Sequence, residues 1–423
     1  MKIFKFGGAS INSTDRFINT GNIIASFKDE KILIVISAMG KTTNALESVV
    51  QTFFAGNHSQ ALEEFHALKK NHLEVLHLLR QTKDDAAENQ LNDFFTELEW
   101  LLNDKPVRNY DYYYDQVVCC GELMSSSILY HHLINNNINC SWIDVRDIIR
   151  TDNNFRDASI DWDFTAKRIQ ESVIPLYEKH DIVITQGFIG STDENESTTL
   201  GREGSDFTAA IFANLMNAES VTIWKDVDAV MSADPKKFPD AAVISELSYT
   251  EVIEMAYYGA QVIHPKTIKP LQNKNIPLIV KSFLNKDLRG TIISKNINKK
   301  LPPIIVDKSN QVLIKFKSKD FSFIEDKPIQ QLHEIFNQIK IKPNLSQHTA
   351  ISLLCSFDNH AEKIQKLAFA ASDLFDVEIE KDLTLVTIRH YNEEVIEKLS
   401  KDKSILVEQK TTETIQMIIS VIR

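Results

Sequence analysis

The sequence predicts an α/β fold, a mainly parallel sheet sandwiched by helices, followed by two small β-α-β-type units. Three observations carry this. Short β-branched runs alternate with segments of helical periodicity over most of the chain. Several of those runs end in glycine-bearing turns, as strands do where a helix follows. The pattern then changes near "NKKLPPIIVDKSN" (298–310), whose lysines, prolines and polar turn read as a linker.

The elements follow in order. "KIFKF" (2–6) and "KILIVIS" (31–37) are strands, and "STDRFINTGNIIASF" between them places apolar residues at helical spacing behind a Ser/Thr/Asp start signal. Residues from about 56 to 115 break the rhythm. "ALEEFHALKKNHLEVLHLLRQ" and "AAENQLNDFFTELEWLL" are amphipathic helices with no strand between them, a helical insertion. His66, His72 and His77 lie there; their spacings do not share one helix face, so they read as solvated surface histidines rather than metal ligands. Further strands are "SWIDV" (141–145), "DIVITQ" (181–186), "SVTIW" (220–224) and "IPLIVKS" (276–282), and "SYTE" (248–251) is a capping box that opens a helix. The expected domains are 1–297 and 305–423. In the second, "QVLIKFKS", "AISLLCSF", "LTLVTIRH" and "IQMIISVI" are strands among helices such as "PIQQLHEIFNQI" and "NEEVIEKLSK". A repeat of about 60 residues of this kind fits ferredoxin-like domains. Its composition is not catalytic, and it reads as a regulatory or dimerising module.

Composition narrows the function. A chain of 423 residues, 43% hydrophobic and 25% charged, is ordinary for a globular protein of two or three domains. The net charge of -11 argues against nucleic-acid binding, which needs a basic footprint, but not against a local anion pocket. Cys119, Cys120, Cys140 and Cys355 form no C-x-x-C pair, so neither a disulfide framework nor a zinc site is expected. The amino terminus lacks a signal-peptide core, and no apolar run approaches the roughly 18 residues of a membrane span. A cytoplasmic protein that binds no membrane is the expectation.

Five stretches could carry chemistry. Lys5-Phe6-Gly7-Gly8-Ala9-Ser10 ends a strand in two glycines, whose backbone amides can form an anion nest beside the Lys5 ammonium. "SAMGKTTN" (37–44) resembles the end of a P-loop, but that motif needs glycine where Val35 stands; a hydroxyl-rich rim with Ser37 and Thr43 remains. Gly121-Glu122 places a carboxylate in an apolar stretch, able to receive a ligand amine. "TQGFIG" (185–190) and "LGREGSDFTA" (200–209) bring Phe188 as a wall, Arg202 as a planar fork for a carboxylate, and Asp206 in a first helical turn. "IWKDVDAVMSADPKKFP" (223–239) runs from a strand into an acid-rich loop with Lys225, Asp226, Asp234 and Lys236, suited to a nucleotide.

Taken together, "KFGG", "GELMS", "TQGFIG", "TTLGR-GSD-TAA", "W-DV", "ADP" and "GA-VIHP", in that order, resemble the aspartate kinases. That resemblance implies an amino acid kinase fold over 1–297, with two ferredoxin-like ACT domains behind it. It implies transfer of the γ-phosphoryl group of ATP to the side-chain carboxylate of L-aspartate, with Mg2+, opening the route to lysine, threonine and methionine. It makes Lys5 and Asp206 catalytic, and assigns Ser37, Thr43, Glu122, Phe188, Arg202 and Ser205 to aspartate. Lys5, Gly7, Gly8, Ser10, Lys225, Asp226, Met231, Asp234, Lys236, Gln261 and Val262 would hold the nucleotide, with no dedicated protein metal site. A homodimer or larger oligomer and an allosteric amino acid at the ACT domains are implied as well. Other amino acid kinases acting on glutamate or acetylglutamate, and a catalytically dead ACT sensor, are the alternatives. Glu203 stands where the family usually has glycine, and is expected to point outward. Met231, Lys236 and Gln261 depart from the usual tyrosine, arginine and lysine. Lys342 replaces an acid that receives lysine in lysine-sensitive relatives, so inhibition by lysine is not expected.

Overall fold

Parallel pairing organises the first sheet. Its strands are β1 (Lys2–Phe6), β2 (Ile32–Ile36), β3 (Cys140–Trp142), β4 (Ile182–Gln186), β7 (Ser220–Lys225), β8 (Glu246–Ser248), β9 (Leu278–Ser282) and β10 (Thr291–Ser294). They stand in the order β3-β4-β2-β1-β7-β9-β10-β8, while β5 (Ile189–Ser191) and β6 (Ser197–Thr199) make a separate antiparallel ribbon. Only β10 against β9 is antiparallel within the large sheet. All five residues of β2 are buried, a continuous apolar run rather than an alternation, as a parallel strand covered on both faces requires. Parallel register puts the carboxyl ends of β1, β2, β4 and β7 at one edge, where ligands of such sheets bind.

The structure is a computed structural model that describes residues 1–80, 85–295, 300–320, 322–323 and 326–421. It divides into two units: Met1–Val230, Ser245–Ile253 and Val262–Asn298 form one, and Met231–Ile244, Glu254–Gln261 and Lys299–Arg423 the other.

Helices of the first unit are α1 (Thr14–Ala25), α2 (Thr42–Phe54), α3 (His58–Leu79), α4 (Asp85–Asn103), α5 (Tyr110–Val118), α6 (Cys120–Asn135), α7 (Trp162–Arg168), α8 (Gly204–Met216) and α10 (Pro265–Lys274); α9 spans Tyr249–Tyr258. Ser13 caps α1 through its hydroxyl, which accepts from the Arg16 amide, and Ser248 does the same for the Glu251 amide at α9. His72 corrects the expectation of surface histidines. It is fully buried on the α3 stripe that also carries Phe65, Leu76 and Leu79, with Nδ1 2.8 Å from the Leu68 carbonyl. Burial drives its pKa down to about 4, so it is neutral. His66 and His77 are half exposed and sit beside Glu99 and Glu88. A second correction concerns Tyr110–Asn135, which is long and apolar enough to cross a membrane. Its apolar 18-residue window is 89% buried inside the protein, so that surface is covered by the core.

The second unit is one antiparallel sheet rather than two separate ones. Its strands are β11 (Ile304–Ser318), β12 (Leu345–His348), β13 (Ser352–Asp358), β14 (Phe375–Arg389), β15 (Lys403–Lys410) and β16 (Thr414–Val421), in the order β12-β13-β11-β14-β16-β15. With α11 (Asp326–Ile339) and α12 (Ala361–Ala371), the strands β11 to β14 complete a ferredoxin-like repeat. The rest of β14, α13 (Glu393–Ser400), β15 and β16 build a shorter second one. The two fuse because β11 and β14 run for 15 residues each and pair along most of their length. This also corrects the linker at 298–310. Residues 298–299 lie outside the described residues, but from Ile304 onward the segment is strand, because Ile304, Ile305 and Val306 pair with Arg389, Ile388 and Thr387. Pro302 and Pro303, which lack amide donors, stand just before the pairing starts.

Candidate active site

At the carboxyl edge of the first sheet lies a cavity of about 530 Å³. Lys5 reaches it from the end of β1, and Asp206 from the first turn of α8. Their charged groups meet, Lys5 Nζ to Asp206 Oδ1, at 2.6 Å, and both side chains are nearly buried. Burial works to raise the Asp206 pKa, but the Lys5 and Lys225 charges and the Lys5 contact outweigh it and hold the carboxyl below its ordinary value. Asp206 is therefore a carboxylate at neutral pH.

Two glycines allow the walls to close. A Cβ on Gly8 would stand 2.7 Å from the Gly40 carbonyl oxygen, and one on Gly187 would stand 2.5 Å from Ser205 Cβ. The first lets the 38–40 turn lie against the β1 turn, and the second lets the amino terminus of α8 approach the end of β4. Ser37, Thr43, Phe188 and Ser205 line the cavity on these elements, with Lys225 at the end of β7.

Glu122 enters from the first turn of α6. Its Oε1 accepts from the Ala38 amide at 3.1 Å, and its Oε2 is buried without a hydrogen-bond partner. Burial pushes its pKa up to about 8, against the pull of the Ala38 bond and the Lys5 charge. A buried carboxyl with an open oxygen is built to receive a cation. Arg202 also lines the cavity, and among the described residues it has no hydrogen bond or ion pair of its own. The cavity therefore offers one unpaired guanidinium, one unpaired carboxyl oxygen and an ordered ammonium.

Glu203 does not point outward as expected. It sits with φ 55° at the start of α8, a left-handed conformation that explains why glycine suits this position. Its Oε2 accepts from the His264 amide at 2.9 Å, one of the unsatisfied donors ahead of α10.

The remaining sequence-predicted residues are placed differently. Gly7 precedes the short 3-10 turn Gly8–Ile11. Ser10 is fully buried and its hydroxyl donates to the Trp224 carbonyl at 3.4 Å, so it ties that turn to β7. The Val262 carbonyl accepts from Lys225 Nζ at 2.5 Å, and Asp226 is exposed just past β7. Met231, Asp234, Lys236 and Gln261 belong to the second unit. There Asp234 is exposed and accepts from the Lys236 amide at 3.0 Å. Sequence reasoning missed Tyr114 and Arg156 on the cavity wall, where the Arg156 guanidinium stacks 4.4 Å from the Tyr114 ring. The backbone of Arg156 is held by Asp115, a buried carboxylate that also takes the amide and hydroxyl of Thr199.

Comparison with known proteins gives this cavity a context. The model of the amino acid kinase family matches residues 1–282. Aspartokinase 2, chloroplastic, of Arabidopsis thaliana is 30% identical over 392 residues, covering 86% of this chain and 71% of that protein. The bifunctional aspartokinase/homoserine dehydrogenase 2 of Zea mays is 35% identical over 298 residues, and the chain spans about a third (32%) of its length. Among solved structures, Escherichia coli aspartokinase III with lysine and aspartate superposes at a TM-score of 0.80 with 27% identity, covering 99% of this chain and 95% of that one. The same enzyme with aspartate and ADP gives 0.77 and 26%, covering 99% and 96%.

Proposed function

The chain belongs to the amino acid kinase family and, within it, to the aspartokinases, and on that premise we propose that it transfers the γ-phosphoryl group of ATP to the side-chain carboxylate of L-aspartate. The observation that carries the reading is the Lys5–Asp206 pair in a cavity that also presents free Arg202 and Glu122 groups. Arg202 takes the α-carboxylate of aspartate through its planar fork, and Glu122 takes the ammonium. Ser37 and Thr43 complete the pocket. The acceptor's second carboxylate is ionised at neutral pH and needs no general base. Catalysis is then positioning and charge neutralisation. Lys5, fixed in direction by Asp206, and the backbone amides of the Gly7-Gly8 turn hold the phosphoryl group in transit. Lys225, with the loop that follows β7, serves the nucleotide.

Mg2+ accompanies ATP in this reading. Among the described residues no group of three or more His, Cys, Asp or Glu is gathered for it. Asp206 is committed to Lys5, so the ion would be held chiefly by the phosphates, as Mg2+ commonly is. The second unit is regulatory in this reading, binding an amino acid effector in a homo-oligomer, and the protein works in the cytoplasm.

Incubation with ATP, Mg2+ and hydroxylamine tests the proposal. Aspartate should give aspartyl hydroxamate, while glutamate and N-acetylglutamate give none. Equal product from glutamate, or none from aspartate, overturns it.

A further inference from the structure

We propose that Glu203 is a positioning residue for the acceptor: its carboxylate clasps the Gly201-Arg202 turn to the segment Val262–His264 and so fixes where the Arg202 guanidinium stands. This rests on the assignment above of Arg202 to the acceptor carboxylate.

The backbone gives the first sign. Glu203 holds φ 55°, an uncommon conformation for a residue with a side chain. In that conformation its Oε2 accepts from the His264 amide, across 61 residues of sequence. His264 is the N-cap of α10, where free amides and the helix dipole both favour a carboxylate. A second tie runs parallel, because Lys266 Nζ donates to the Leu200 carbonyl at 2.9 Å and pairs with Asp157 at 2.9 Å. The arginine-bearing turn is thus fastened on both sides of Arg202 to the start of α10.

The same short segment takes a third contact. Lys225, the cation at the end of β7, donates to the Val262 carbonyl. Residues 262–264 therefore receive Lys225 on a carbonyl and Glu203 on an amide, bridging the two cationic sides of the cavity. The clasp also disposes of a charge. A glutamate next to Arg202 could neutralise the guanidinium, yet directed at His264 it leaves Arg202 unpaired among the described residues. Glutamate at this position thus does what glycine could not: it anchors the turn without closing the anion site.

The test compares wild type with Glu203→Ala, Glu203→Gln and His264→Pro in the hydroxamate assay, with melting temperatures to confirm folding. Proline suits His264, whose φ is -70°, and deletes the amide donor together with the ring, whose Nδ1 accepts from the Lys266 amide and caps α10, so a lower melting temperature accompanies it. Loss of one charge-assisted hydrogen bond should raise the KM for aspartate about tenfold in Glu203→Ala, with kcat and the KM for ATP within about twofold. Glu203→Gln keeps an acceptor oxygen and should stay within about threefold of wild type. His264→Pro should be impaired at least as much as Glu203→Ala, since it leaves an unanchored carboxylate beside Arg202. Wild-type KM in Glu203→Ala, or equal damage from glutamine and alanine, overturns the clasp while the function stands. An inactive wild type overturns both.

Discussion

If Glu122 receives the acceptor's ammonium, as proposed, the acceptor's affinity depends on pH. Burial pushes its carboxyl pKa up from 4.5 to about 8, so at neutral pH it is mostly protonated. An ammonium ligand requires the carboxylate, so binding aspartate must first expel a proton. The apparent KM for aspartate then scales as 1 + 10^(8 − pH). It is nearly flat at pH 9, rises about tenfold by pH 7 and about a hundredfold by pH 6. Steady-state rates in a coupled ADP assay from pH 6 to 9 read this directly. Calorimetry at pH 7 in two buffers of different ionisation enthalpy should show about 0.9 proton released per aspartate bound, the protonated fraction of a group of pKa 8. The linkage has a stability side with a definite sign. The folded pKa is raised, so stability is greatest below the unfolded value of 4.5 and is lost as pH climbs through 8. The span of about 3.5 pH units is worth about 5 kcal/mol, less about 1–3 kcal/mol for the buried amide N–H that glutamine brings. Glu122→Gln should therefore melt higher than wild type at pH 8.5 while losing both aspartate affinity and the pH slope. A KM for aspartate that stays constant between pH 6 and 9 would refute the reasoning.

Three further outcomes follow from the same geometry. Asp206→Asn leaves the Lys5 ammonium buried and unaimed, and should lower kcat by about 10² to 10³ and cost about 3–5 kcal/mol in urea unfolding. His72 is neutral when folded, with a pKa depressed to about 4, so its stability contribution is full above 6.5 and lost as pH falls toward 4. That loss amounts to about 3 kcal/mol over the window, and His72→Leu should remove this part of the slope in urea melts taken from pH 7 to 4. In the second unit, Lys342 lines a cavity with Lys340, Lys363 and His360 against the single acid Asp358, so millimolar lysine should leave the kinase rate unchanged, and strong inhibition would contradict that reading.

Much of the fold could be read because its strands are continuous apolar runs. β2, β4 and β7 bury both faces along nearly their whole length and stand out against their neighbours. The strands β5, β6 and β8 have three residues each, too few to carry a period, and β15 is an edge strand with only Val407 buried. The fusion of the two small repeats is not legible in the sequence because the prolines at 302 and 303 look like a break, while pairing begins one residue later. At the site, Lys5, Arg202 and Asp206 were visible as charges embedded in glycine-rich turns. Arg156 and Tyr114 were not, since they come to the cavity from a polar turn and from α5 only through tertiary folding. The direction of the Glu203 carboxylate depends on an amide 61 residues away, which no local pattern encodes.

In the proposed reaction Lys5, steadied by Asp206, handles the phosphoryl group that moves. Single-turnover transfer from γ-labelled ATP to aspartate, at saturating concentrations of both, measures that step in isolation. Wild type should yield a labelled, hydroxylamine-sensitive aspartyl phosphate, and Lys5→Met should form it at least about 10³-fold more slowly with aspartate binding intact. Transfer by Lys5→Met at the wild-type rate would contradict the account.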